Sequence, residues 1–185
     1  MKKSEIISIL LFFLGLLLCG SYHIYYYFAE EKQEEIVNDY MEKEETKKEE
    51  PKHILGILEI PVIHFQKPFY DIESEDNNVN KNIQVLKGSM MPNNAGKTLF
   101  LAAHSGNSYL GYFKELIKLQ KEDLLIIHYQ GQKYSYYIND IYELPKNGTI
   151  EIIKNSKENY LVLTTCHNDK QLVITAKLLK IEGFS

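Results

Sequence analysis

Cys166 closes the run Tyr160-Leu161-Val162-Leu163-Thr164-Thr165, and the polar, turn-forming stretch His167-Asn168-Asp169-Lys170 follows it. A thiol at the exit of an apolar strand can be reached from outside. The alternative is the usual fate of a free cysteine, a small hydrophobe finishing a core strand. His104 stands in a matching place: it follows Thr98-Leu99-Phe100-Leu101-Ala102-Ala103 and opens the loop Ser105-Gly106-Asn107. A cysteine with a histidine beside it in space is the minimum kit for nucleophilic thiol catalysis. The thiolate is the nucleophile, and an unperturbed thiol with a pKa of about 8.5 is mostly protonated at neutral pH. A neighbouring imidazolium stabilises the thiolate and then protonates a leaving amine. A third group must hold the oxyanion of the tetrahedral intermediate.

The other histidines fit this scheme less well. His23 lies at the end of an apolar run, His53 follows a charged one, and His64 and His128 sit inside strand-like patterns. His167 adjoins the cysteine, but neighbours on an extended backbone point to opposite faces. A metal site built from Cys166, His167 and His104 matches no standard zinc spacing, so no metal or other cofactor is expected. The acidic stretch Asp71, Glu73, Glu75 and Asp76 reads as a solvated loop.

The elements that must position these groups are short strands. Ile54–Ile60 ends at Pro61, and Val62–Phe65 and Pro68–Tyr70 continue the pattern. Asp76-Asn77-Asn78 predicts the cap of a short helix running through Leu86. Leu110–Leu119 carries Phe113, Leu116 and Ile117 at helical spacing. Leu124–Tyr129 and Lys133–Ile138 read as a hairpin turning at Gln130-Gly131-Gln132, and Pro145–Gly148 as a further turn. The chain closes with a hairpin that has Cys166 at the exit of its first strand and Lys170 at the start of its second. Many short strands and few helices over some 130 residues predict a mostly-β, closed or nearly closed barrel.

The 185 residues amount to one domain with appendages. A hydrophobic fraction of 44% and 14 tyrosines suffice for a core, and the net charge of −4 argues against a nucleic-acid partner. All 21 basic residues are lysine.

Residues 1–29 read as a cytoplasmic tip and a membrane span. Lys2 and Lys3 precede an uncharged stretch from Ile6 to Ala29, longer than the roughly 20 residues a bilayer needs. Tyrosines gather at its far end, as in an interfacial aromatic belt, and the leading lysines favour a cytoplasmic N-terminus. No small-residue cleavage site follows, and Leu17-Leu18 before Cys19 does not suit a lipidation signal, so an uncleaved anchor in contact with membrane lipid is expected. Residues 30–52, rich in Glu and Lys, read as a charged stalk or linker, either a solvated helix or a semi-flexible segment. Residues 53–185 are the predicted barrel.

In motif and order the chain resembles a sortase, the membrane-anchored cysteine transpeptidases of Gram-positive bacteria. Val162-Leu163-Thr164-Thr165-Cys166 is similar to the family's T-L-x-T-C signature, and Ala102-Ala103-His104-Ser105 to its small-residue-His-Ser motif. Tyr112–Leu116 through Lys121–Leu124 and Gly56–Pro61 also resemble family segments, although Glu122 stands where Gly is common. The resemblance spans roughly residues 54 to 180. It implies an eight-stranded β-barrel with short helices behind an N-terminal transmembrane helix, and a domain outside the cell. It also implies cleavage of an LPXTG-like sorting signal through a thioacyl enzyme, followed by transfer to an amine. The implied partners are a surface-protein or pilin signal peptide and an amine acceptor on a cell-wall precursor or pilin.

By the same resemblance Cys166 is the nucleophile and His104 the general acid, with Thr164, Thr165 and Ser105 lining the peptide. The departure lies in the third group. The family has an Arg near the start of the last strand, and Lys170 stands here, with charge but without the planar fork of a guanidinium. That departure leaves room for a second reading, a sortase-like peptide-binding module with weak or absent catalysis.

Overall fold

The computed structural model describes residues 3–46, 54–93, 96–106, 110–150 and 158–183. Pro51, His53 and Asn107 lie outside the described residues.

One helix, α1 (Lys3–Thr46), precedes eight strands: β1 (Ile54–Ile60), β2 (Phe65–Tyr70), β3 (Gln84–Val85), β4 (Thr98–Ala102), β5 (Leu124–Tyr129), β6 (Gln132–Pro145), β7 (Tyr160–His167) and β8 (Lys170–Gly183). They form one sheet in the order β2-β1-β5-β6-β8-β7-β4-β3. A parallel bridge between Phe69 and Ile83 joins the β2 edge to the segment entering β3, so the sheet curls into a nearly closed barrel. The strands are rich in Leu, Ile, Val and Tyr, the residues that fill a pleated surface. Alternate ones point inward: Leu99 and Leu101 from β4, Leu161 and Leu163 from β7, Leu172, Ile174 and Ala176 from β8 share one core with Leu58, Leu125, Ile127, Tyr134 and Tyr136.

Turn chemistry sets the registers. Gln130 and Gly131 both adopt positive φ (51° and 67°), the pairing that a two-residue β5–β6 hairpin requires. Asn168, at φ 54°, turns β7 into β8 with His167 paired to Lys170. The Pro145–Gly148 turn closes with Gly148 N–H on the Pro145 carbonyl at 2.7 Å.

Three local expectations change. Gln84–Val85 is a strand and not the end of a helix, because Asn77 folds its side chain onto the backbone: its Oδ1 accepts from Val85 N–H at 2.6 Å, and its Nδ2 donates to the Val85 carbonyl at 3.1 Å. Pro61–Ile63 forms a single 3-10 turn ending at His64 in the left-handed region, φ 50°. The helix read over Leu110–Leu119 contracts to a 3-10 segment, Lys114–Lys118, that buries Leu116.

The charged segment after the apolar run continues α1 without a break. Val37, Tyr40 and Met41 recur at helical spacing, and they pack on Ile57 and Ile54 of β1. Tyr40 is wholly buried. Burial of an apolar side chain of this size contributes about 1.5–3 kcal/mol. Beside that contact Glu30 of α1 pairs with Lys67 of β2, whose side chain is 9% exposed. A lysine so enclosed needs an anion to offset its lost hydration.

Candidate active site

β4 and β7 run parallel, with Leu101 beside Leu163 and Ala102 beside Thr164. Two residues beyond that last pair come His104 and Cys166. Three hydrogen bonds stitch the chain there. Ala103 N–H donates to the Thr164 carbonyl (3.4 Å), the Thr165 hydroxyl to the Ala103 carbonyl (2.7 Å), and the Ser105 hydroxyl to the Cys166 carbonyl. From the far side Phe113, buried in the core, donates its N–H to the His104 carbonyl at 2.9 Å. The histidine backbone is therefore fixed from both directions, while the Cys166 side chain stays exposed.

The imidazole is also held. His104 Nε2 lies 3.1 Å from Asn80 Oδ1. An amide oxygen accepts, so in the neutral ring Nε2 carries the hydrogen and Nδ1 keeps its lone pair. Asn80 belongs to the loop before β3, where its own N–H donates to Asn78 Oδ1 at 2.9 Å. It was not singled out in the sequence, because nothing local marks one asparagine of an asparagine-rich turn as the partner of a histidine 24 residues away.

Cys166 points to the outer face of the sheet. Its face-mates Val162, Phe100 and Val173 form a small apolar cluster with Leu86, Tyr142, Leu144 and Ile150. A hollow of about 240 Å³ lined by Phe100, Tyr142, Val162 and Thr175 lies along this face. Val162 is four residues from the thiol, about 13 Å along an extended strand. An extended peptide of four or five residues would cover that distance. Larger hollows, about 330 Å³ beside α1 and about 580 Å³ in the Asp71–Asp76 loop, hold no thiol. Among the described residues no group of three His, Cys, Asp or Glu could hold a metal ion.

The remaining expected site residues sit as follows. Thr164 is buried, and its hydroxyl donates to the Leu172 carbonyl at 3.1 Å. Thr164, Thr165 and Ser105 thus each direct their hydroxyl hydrogen to a main-chain oxygen and brace the site. Lys170 is exposed, with its ammonium 2.8 Å from Glu143 Oε2. His167 Nδ1 reaches the other oxygen of the same carboxylate at 2.7 Å. Lys170 first, then His167, hold the Glu143 carboxyl below its ordinary range, and Glu143 in turn raises the Lys170 ammonium. His167 and Lys170 face each other across the hairpin, and the pleat turns both away from the face that carries Cys166. The residue opposite Cys166 is Gln171.

A thiol and a histidine thus lie at the ends of adjacent parallel strands of an eight-stranded, nearly closed barrel. The family profile described as the sortase domain matches residues 58–179, which is more than half of the chain. The chain belongs to the sortase family, a family of transpeptidases. Among solved structures it is similar to sortase C of Streptococcus pneumoniae, described for its catalysis and pilin substrate specificity, at 26% identity and a TM-score of 0.63, covering 71% of each chain. It also resembles sortase C-1 of Actinomyces oris (24% identity, TM-score 0.63, 70% of this chain and 75% of that one). Sortase C2 from pilus island 1 of Group B Streptococcus shares the fold at 22% identity and a TM-score of 0.64, with 71% and 77% covered. No curated protein sequence matches the chain.

Proposed function

We propose that this chain is a cysteine transpeptidase that cleaves an LPXTG-like sorting signal and passes the acyl group to an amine. The observation that supports this reading is the parallel β4–β7 register, which ends with Ala102 beside Thr164, two residues short of His104 and of the exposed Cys166. The Cys166 thiolate attacks the scissile carbonyl carbon. His104, oriented by Asn80, protonates the departing amine, and a thioester remains on Cys166. An incoming amine attacks the thioester and gives up a proton to His104, and the thiolate leaves. The groove over Phe100, Val162 and Val173 receives the apolar part of the signal.

The acceptor is an amine of a cell-wall precursor or of a pilin, and the solved relatives favour pilin. Among the described residues one helix, near the N-terminus, is long and apolar enough to cross a membrane. It serves as a single-pass anchor with the N-terminus cytoplasmic and the barrel outside.

The test uses the full chain in detergent micelles with a panel of LPXTG-like peptides and intact-mass spectrometry. The expected result is an acyl adduct on Cys166 that an added amine discharges. Cys166→Ala abolishes it, and His104→Ala slows it by about 10²-fold or more. A folded chain with an alkylatable Cys166 and no adduct across the panel would favour the binding module instead.

A further inference from the structure

On the reading just given, the tetrahedral intermediate needs a hydrogen-bond donor beside the thiol, and we infer that this donor is the carboxamide of Gln171. Three observations carry the inference. The first is register. Cys166 and Gln171 are directly opposed across the antiparallel β7–β8 pair. Opposed side chains stand on the same face, with Cβ atoms about 4.5–5.5 Å apart.

The second is orientation. Gln171 Nε2 lies 2.8 Å from Thr164 Oγ1, and the Thr164 hydroxyl donates to the Leu172 carbonyl. That carbonyl can only accept, so the threonine has its lone pairs free and its hydrogen committed. The atom facing it must therefore be the NH2 end of the amide. One of the two Nε2 hydrogens is used, and the second remains for a ligand. Thr164 thereby acts as a positioning residue that holds the amide with its donor end toward the groove.

The third is the occupation of the alternative. Lys170 is on the other face and bound to Glu143, so its ammonium would have to leave an ion pair and cross the strand to reach an oxyanion.

The step is written as follows. A sulfur lone pair of the Cys166 thiolate forms the S–C bond, and the carbonyl π pair moves onto oxygen. The oxyanion accepts the second Nε2–H of Gln171. On collapse the oxygen pair re-forms the carbonyl, the C–N pair leaves with nitrogen, and the His104 imidazolium protonates that nitrogen. A neutral amide gives a weaker field than a guanidinium or ammonium, but it is a fixed dipole that needs no reorganisation at the moment of reaction.

The test compares Gln171→Ala, Gln171→Glu and Lys170→Ala in the full chain, with kcat and KM for peptide acylation and the pH profile of Cys166 alkylation by iodoacetamide. The expected result is a kcat for Gln171→Ala lower by about 10²-fold, the size seen when one oxyanion donor is removed. KM and alkylation stay within about twofold, because substrate binding and the thiol itself are untouched. Gln171→Glu, equal in shape but able only to accept at neutral pH, fails to rescue. Lys170→Ala keeps its rate within about threefold. A Gln171→Ala chain within threefold of the parent, or a large kcat loss confined to Lys170→Ala, overturns the assignment while leaving the transpeptidase reading intact. A parent chain that forms no adduct overturns both.

Discussion

Glu143 is the residue on which the hairpin tip depends, since it holds His167 through one oxygen and Lys170 through the other. Its carboxyl lies below the ordinary 4.5, so its contribution is complete above that value and is lost as pH falls through the lower folded value. Lys170 lies above the ordinary 10.5, so its contribution is complete below that value and is lost as pH rises through the raised one. The tie is therefore whole across the neutral range. Glu143 and Lys170 are exposed and His167 is half-buried, so solvent screens the pair and the effect stays local. The expected outcome is a Glu143 titration midpoint below 4.5 by carboxyl NMR, moving upward in Lys170→Met; an unmoved midpoint would mean that the ion pair does not persist in solution. The proposed nucleophile and acid, Cys166 and His104, stand out in the sequence because each ends an apolar run with a reactive side chain. Asn80 was not, because its role exists only once the loop before β3 folds over His104.

The β7–β8 hairpin shows why a strand pattern yields elements more readily than faces. Gln171-Leu172-Val173-Ile174 reads as the start of an apolar strand in the sequence, but which parity meets Cys166 depends on the number of residues in the turn. A two-residue turn opposes Cys166 with Gln171, and a turn one residue longer would shift the opposition. Lys170, the only cation in that stretch, was the natural candidate from composition, and the register instead aligns it with His167. The turn itself is testable through Asn168, whose φ of 54° suits asparagine or glycine and strains a β-branched residue. Asn168→Val is expected to lower stability by about 1–2 kcal/mol in chemical denaturation, with Asn168→Gly near the parent. Equal midpoints for both variants would show that the turn adjusts at no cost. In the same way the β3 strand escaped the sequence reading because two residues have no period, and a side chain eight positions away, Asn77, holds them extended.

At the scale of the whole molecule, α1 and the barrel are one assembly. Glu/Lys-rich composition concealed this, because four apolar residues among many charges read as a solvated face. Their spacing, Val37, Tyr40 and Met41, was the available signal, and Ile57 on the barrel is what gives it meaning. Tyr40→Ala in the full chain is expected to weaken helix docking by about 3 kcal/mol, the low end for loss of a buried aromatic. Hydrogen exchange would then rise at Ile54–Leu58 while β7 and β8 stay protected. Unchanged exchange across β1 would indicate that the helix makes no lasting contact.

The unbroken helix has a spatial consequence. With Ile6–Ala29 in the bilayer, Tyr40 stands eleven residues beyond the span, about 17 Å along the helix. A barrel clamped at that point cannot roam on a leash. If α1 is the proposed anchor, the barrel would sweep a thin shell parallel to the lipid surface at one height, and its encounters with substrate would reduce to a search in two dimensions. On that proposed arrangement a substrate carried on the same membrane would meet the thiol by lateral diffusion, and one held far above the surface would stay out of reach.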